Sequence, residues 1–106
     1  MKRNFHLNLQ SPDGWLIPFE EIMFLSSLKI NQLNEILEEV YGVEILLTPV
    51  KNEKLVNAAI KIEARNGQYG AISNANHWET ALIKAYDSIL HQGRANYSFP
   101  IRENTN

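Results

Sequence analysis

The chain has 106 residues, 44% hydrophobic and 21% charged, with ten basic and twelve acidic side chains and a net charge of −2. That size suits one compact domain, and zero cysteines exclude a disulfide scaffold or thiolate site and point to a reducing, cytoplasmic setting. No run approaches the ~18 apolar residues of a membrane span, and the small negative charge excludes a generic polyanion binder.

Met1-Lys2-Arg3 is briefly basic, but polar residues then interrupt any apolar leader core. Phe5, Leu7 and Leu9 alternate with Asn4, His6, Asn8 and Gln10, which predicts a half-buried strand of period two. Ser11-Pro12-Asp13-Gly14 fits a type I turn. Beyond it, the stretch 11–27 admits an extra short strand over Trp15-Leu16-Ile17, or a helix that Pro18 opens, with Glu20 and Glu21 near its N-terminus.

A helix is expected over about Leu28 to Tyr41. Ile30, Leu33, Leu37 and Val40 share one face, with Ile36 and Tyr41 at its edge; Ser27 or Asn31 is its cap and Gly42 its stop. Glu35, Glu38 and Glu39 line the polar side. Val43 to Val50 is apolar and rich in branched residues, hence a strand, followed by the charged link Lys51 to Lys54. Val56, Ala58, Ile60, Ile62 and Ala64 alternate with polar neighbours up to Asn66-Gly67, a strong hairpin signal. A two-residue loop at Asn66-Gly67 pairs Arg65 with Gln68, Ala64 with Tyr69 and Ile62 with Ala71, burying Ile60, Ile62, Ala64, Tyr69 and Ala71.

The last helix is expected from Asn76, with Glu79 reaching back in a capping box. Trp78, Ala81, Leu82, Ala85 and Ile89 make its apolar stripe, His91 closes its last turn and Gly93 follows it. The order β-α-β-β-β-α predicts an α+β two-layer sandwich: a four-stranded mixed or antiparallel sheet with two main helices on one face. One domain spans 1–97, and 98–106 is a flexible tail.

Catalytic chemistry finds no constellation. His77 and His91 stand roughly 20 Å apart along one helix and no metal-ligand spacing occurs. Gly-x-Ser-x-Gly is absent, and Gly67-Gln68-Tyr69-Gly70 sits at a hairpin rather than between strand and helix. The chain is read as a non-enzyme without metal or cofactor.

Charge is uneven. Asp13 to Glu44 holds seven acids against Lys29 alone, a local −6, whereas Ile45 onward holds seven bases against five acids, a local +2. One half therefore offers a modest basic patch, the other an acidic surface suited to a basic protein partner. Glu35, Glu38 and Glu39 belong to that second surface, as does Trp15 just after the first turn.

Ala59-Ile60-Lys61-Ile62-Glu63-Ala64-Arg65-Asn66-Gly67 and Trp78-Glu79-Thr80-Ala81-Leu82, set in this element order, resemble the ribosome hibernation promoting factor and ribosome-associated inhibitor A family. The resemblance is best over Val43 to Gln92. It implies a small factor that binds the small ribosomal subunit through basic residues and blocks translation, with Lys54, Lys61, Arg65, Lys84 and Arg94 as candidate RNA contacts. The first helix carries glutamates where that family carries lysines. The core order is also similar to the double-stranded RNA-binding domain, although Ser73 to His77 lacks its lysine cluster. A protein-interaction or inhibitor module acting through the acidic 13–44 surface is the competing reading.

Overall fold

The computed structural model describes residues 5–12, 18–50 and 54–98, with side chains through residue 95. The elements are β1 (His6–Gln10), α1 (Phe19–Leu37), β2 (Val40–Val50), β3 (Leu55–Ala64), β4 (Gly67–Ala75) and α2 (Trp78–Ser98). The sheet runs β1-β2-β3-β4, with β1 parallel to β2 and the other pairs antiparallel. It is thus the mixed form of the expected α+β sandwich. Both helices pack on one face, α1 against β2 and α2 against β3 and β4. The turn at Asp13-Gly14 and the return strand Trp15-Leu16-Ile17 lie outside the described residues, as does the tail from Phe99 onward. Ser98, placed in that tail by the sequence, ends α2.

The first helix differs from expectation at both ends. It begins nine residues earlier, where the Ile22 N–H donates to the Pro18 carbonyl at 3.0 Å and Glu20 and Glu21 occupy the first turn. Its buried stripe is Ile22, Ser26, Ile30, Leu33 and Leu37, so Ser27 and Asn31 are interior helical residues rather than caps. Ser26 is the reason the stripe is hard to see: a polar residue occupies a core position, supported by the Tyr86 hydroxyl, which donates to Ser26 Oγ at 2.7 Å.

The helix stops at Leu37, not Tyr41. Asn34 Oδ1 accepts from the Val40 N–H at 2.9 Å, and the Arg65 N–H donates to the Glu39 carbonyl at 2.8 Å. These bonds pull the chain into β2. Glu38 takes the bend, with φ 74° and ψ −45°, and the Glu39 N–H donates back to the Leu37 carbonyl at 2.8 Å. This is the rare, strained kind of γ-turn, unfavourable for a residue with a Cβ. Glu38→Gly should therefore raise stability by about 1 kcal/mol, net of glycine's looser unfolded chain. Thermal unfolding checks it, with Glu38→Ala as the control that removes the charge but keeps the Cβ. A gain with alanine equal to that with glycine would assign the effect to charge instead.

Gly42, expected to end the helix, lies within β2 opposite His6. The register with β3 shifts between Val40 and Gly42, leaving Tyr41 as a bulge. That extra residue lets Val40 and Val43 both be buried although their spacing breaks period two.

The β3–β4 hairpin turns one residue earlier than expected. Ala64 pairs with Gly67, Glu63 with Gln68 and Ile62 with Tyr69, so the loop is Arg65-Asn66. A type I′ turn at Asn66-Gly67 needs positive φ at both. Gly67 takes φ 144°, but Asn66 does not; its Oδ1 instead accepts from the Tyr69 hydroxyl at 3.0 Å. The slip moves each partner by two residues, an even number, so the faces are preserved. Ile60, Ile62 and Tyr69 are buried, with Ala64 and Ala71 packed against them.

Second-helix residues Ala81, Leu82, Ala85 and Ile89 are buried as expected, with Tyr86 added and Trp78 half-buried at the margin. The cap is His77 rather than Asn76: its Nδ1 accepts from the Glu79 N–H at 3.3 Å, and its carbonyl accepts from Ala81 at 3.1 Å. Gly93 does not end the helix. It is buried inside α2 against Ile36 and Leu37.

Candidate functional site

The sheet fixes where the candidate RNA contacts stand. Lys54 precedes β3 and Arg65 follows it, and ten intervening residues separate them by about 33 Å. Lys61 lies between them on the face away from the helices, paired across strands with Glu44. Lys84 and Arg94 are on α2, ten residues or about 15 Å apart along the axis. All five are exposed. The fold therefore spreads these cations over both layers instead of gathering them.

Several are also engaged locally. Arg65 Nη2 lies 3.6 Å from Glu39 Oε1. The hydrogen bond to the Tyr41 side chain first, and the charge of Glu39 after it, hold the guanidinium above its already high ordinary pKa. Lys84 Nζ donates to the Asn74 carbonyl at 3.0 Å, and Gln92 Nε2 donates to the Gly70 carbonyl at 2.9 Å. Both acceptors belong to β4, the last strand of the sheet. These two α2 side chains thereby occupy main-chain acceptors that a foreign strand would otherwise pair with. Arg94 borders a shallow hollow with Asn31, Glu35 and Leu90.

On the acidic side, Glu35 is exposed near the end of α1, while Glu38 and Glu39 form the bend into β2. Neither helix carries a basic residue in its last turn, so the negative helix end of α1 and these glutamates reinforce one another. Two of the candidate cations share this end, Arg65 beside Glu39 and Arg94 beside Glu35, so the glutamates offset part of their charge. Trp15, the fourth residue expected on that surface, is outside the described residues.

Two surfaces were missed in the sequence. One is the open face of the sheet, where Leu46 and Ile72 are exposed, Ile72 at 73%. The other is a groove at the N-terminal ends of the two helices, bordered by Phe24, Leu28 and Trp78 and by Glu20, Glu21 and Glu79. Phe24 and Leu28 stand four residues apart next to two glutamates, a signal that becomes readable only once the helix is extended back to Phe19.

His6 is exposed at the edge of a hollow shared with Tyr41, Glu44, Lys61 and Glu63; His91 is exposed on α2. Among the described residues no group of three or more histidine and acidic side chains is placed to hold a metal ion, and no helix is long and apolar enough to cross a membrane.

No family model matches the sequence, and no curated protein aligns with it. The likeness is one of structure. The chain superposes on the Protein Y N-terminal domain of Thermus thermophilus with a TM-score of 0.68 at 14% identity, covering 87% of this chain and 97% of that one. A ribosomal subunit interface protein from Coxiella burnetii superposes with a TM-score of 0.57 at 13% identity, covering 89% and 94%. At such low identity what is shared is the fold, the β-α-β-β-β-α sandwich that the element order pointed to.

Proposed function

We propose that this chain is a small non-catalytic factor of the cytoplasm that binds the ribosome, at structured RNA of the small subunit, and restrains translation. The observation that carries the reading is the superposition over nearly the whole of two solved chains, one of them a ribosomal subunit interface protein. The RNA contacts are Lys54, Lys61, Arg65, Lys84 and Arg94. Their dispersal and the net charge of −2 make this a contact of a few phosphates, with weak affinity for nucleic acid in general.

Five phosphate contacts set an upper limit to the salt dependence. Raising monovalent salt from about 50 to 200 mM should weaken binding to purified small subunits by up to about 500-fold. Lys84→Glu combined with Arg94→Glu should abolish it, whereas Glu35→Lys, which replaces the acid beside Arg94, should strengthen it. Filter binding with labelled protein reads all three. Affinity that is flat with salt, or indifferent to the double reversal, would exclude these residues as the RNA contacts.

A further inference from the structure

The groove at the shared N-terminal end of α1 and α2 combines exposed apolar side chains with carboxylates. Its apolar part is Phe24, 69% exposed, Leu28, 50% exposed, and the half-buried Trp78. Phe24 and Leu28 project from successive turns of α1 and leave an open trough of about 420 Å³. Glu20, Glu21 and Glu79 stand around it. No cation lines it; Lys29, one turn beyond Leu25, is turned to Asp87 at 3.0 Å. The helix N-termini account for the three carboxylates, which their dipoles stabilise. They do not account for two large apolar side chains left in water on a helix that already has a full buried stripe.

We propose that this groove is a docking site for a basic segment of another protein, carrying one bulky apolar side chain flanked by lysines or arginines. The anchor would fill the trough over Phe24, Leu28 and Trp78, and the flanking cations would meet Glu20, Glu21 and Glu79. Charge selects this occupant over the others. RNA and anionic lipid would bring negative charge to a carboxylate rim. A second copy of the chain, docking symmetrically, would set three carboxylates against three. The site shares no residue with the RNA contacts above and stands or falls independently of them.

The probe is a fluorescein-labelled twelve-residue peptide with a central phenylalanine between lysine and arginine residues, read by fluorescence anisotropy against the full chain. The same peptide with serine for phenylalanine, and an all-glutamate version, are the controls. The basic anchored peptide should bind at least tenfold more tightly than either. Phe24→Ser with Leu28→Ser, and separately Glu20→Lys with Glu21→Lys, should each weaken it at least tenfold. All four positions are exposed, so thermal unfolding should confirm that both variants fold. Equal binding of the serine peptide, or indifference to either pair of substitutions, overturns the proposal. So does concentration-dependent self-association in sedimentation equilibrium that Phe24→Ser abolishes, since the groove would then be taken by a second copy.

Discussion

Gly93→Val should lose about 3 kcal/mol of stability, at the upper end of what overpacking a core costs. A Cβ at position 93 would stand 2.6 Å from Leu37 Cδ2 and 3.1 Å from Ile36 Cγ2. Leu37 is fully buried, so its Cδ2 can yield only by displacing its core neighbours or by the helices moving apart. Their contact also holds the end of α1, where the chain bends sharply at Glu38, so the disturbance reaches β2. Gly93→Ala is the informative companion. Alanine improves helix propensity by about 1 kcal/mol but keeps the 2.6 Å clash, so it should still be less stable than glycine. Urea unfolding of the three proteins gives the order glycine, alanine, valine. A valine variant as stable as the parent would show that the helices do not meet at this residue.

The second large effect is alkaline. Burial pushes the Tyr86 hydroxyl up to about 12 from its ordinary 10, the Ser26 hydroxyl drawing it partway back. The folded state thus keeps the phenol proton that the unfolded chain has given up. The contribution is fully present below pH 10 and is lost as pH rises toward 12. Two pKa units correspond to about 3 kcal/mol. The measurement is taken as a difference, so that contributions common to both proteins cancel. The stability of the parent minus that of Tyr86→Phe should fall by roughly this amount between pH 9 and 12. At neutral pH Tyr86→Phe should cost about 1–2 kcal/mol, because Ser26 is left buried without its partner, and adding Ser26→Ala should restore part of it. A pH-independent difference would mean that the hydroxyl is not held away from water.

Most of the sheet was legible in the sequence because period two survives local slips. The β3–β4 hairpin turns one residue early, yet the even shift leaves Ile60, Ile62 and Tyr69 inside. Pro18, Glu20 and Glu21 marked the start of α1, but its continuity into the later stripe and the other helix boundaries were not legible, for reasons that lie in tertiary contacts. Ser26 breaks the apolar stripe of α1 and is paid for by Tyr86, sixty residues away. Val40 continues the helical stripe in sequence, but Asn34 and the β3 partner strand capture it for the sheet. Gly93 reads as a helix stop in one dimension and is a helix crossing in three. The candidate site divides in the same way. Charge balance singled out the acidic 13–44 region and the family resemblance named five cations, but only the fold shows that the cations are dispersed. The glutamates that frame an apolar groove are Glu20, Glu21 and Glu79, not Glu35, Glu38 and Glu39.

The most direct measurement of the central claim is sedimentation of the purified chain with ribosomes through a sucrose gradient at low salt. Ribosome binding predicts that the protein travels with the small subunit, and that it is released to the top of the gradient when salt is raised about fourfold. A protein that stays at the top at low salt, with its helices and cooperative unfolding intact, would contradict it.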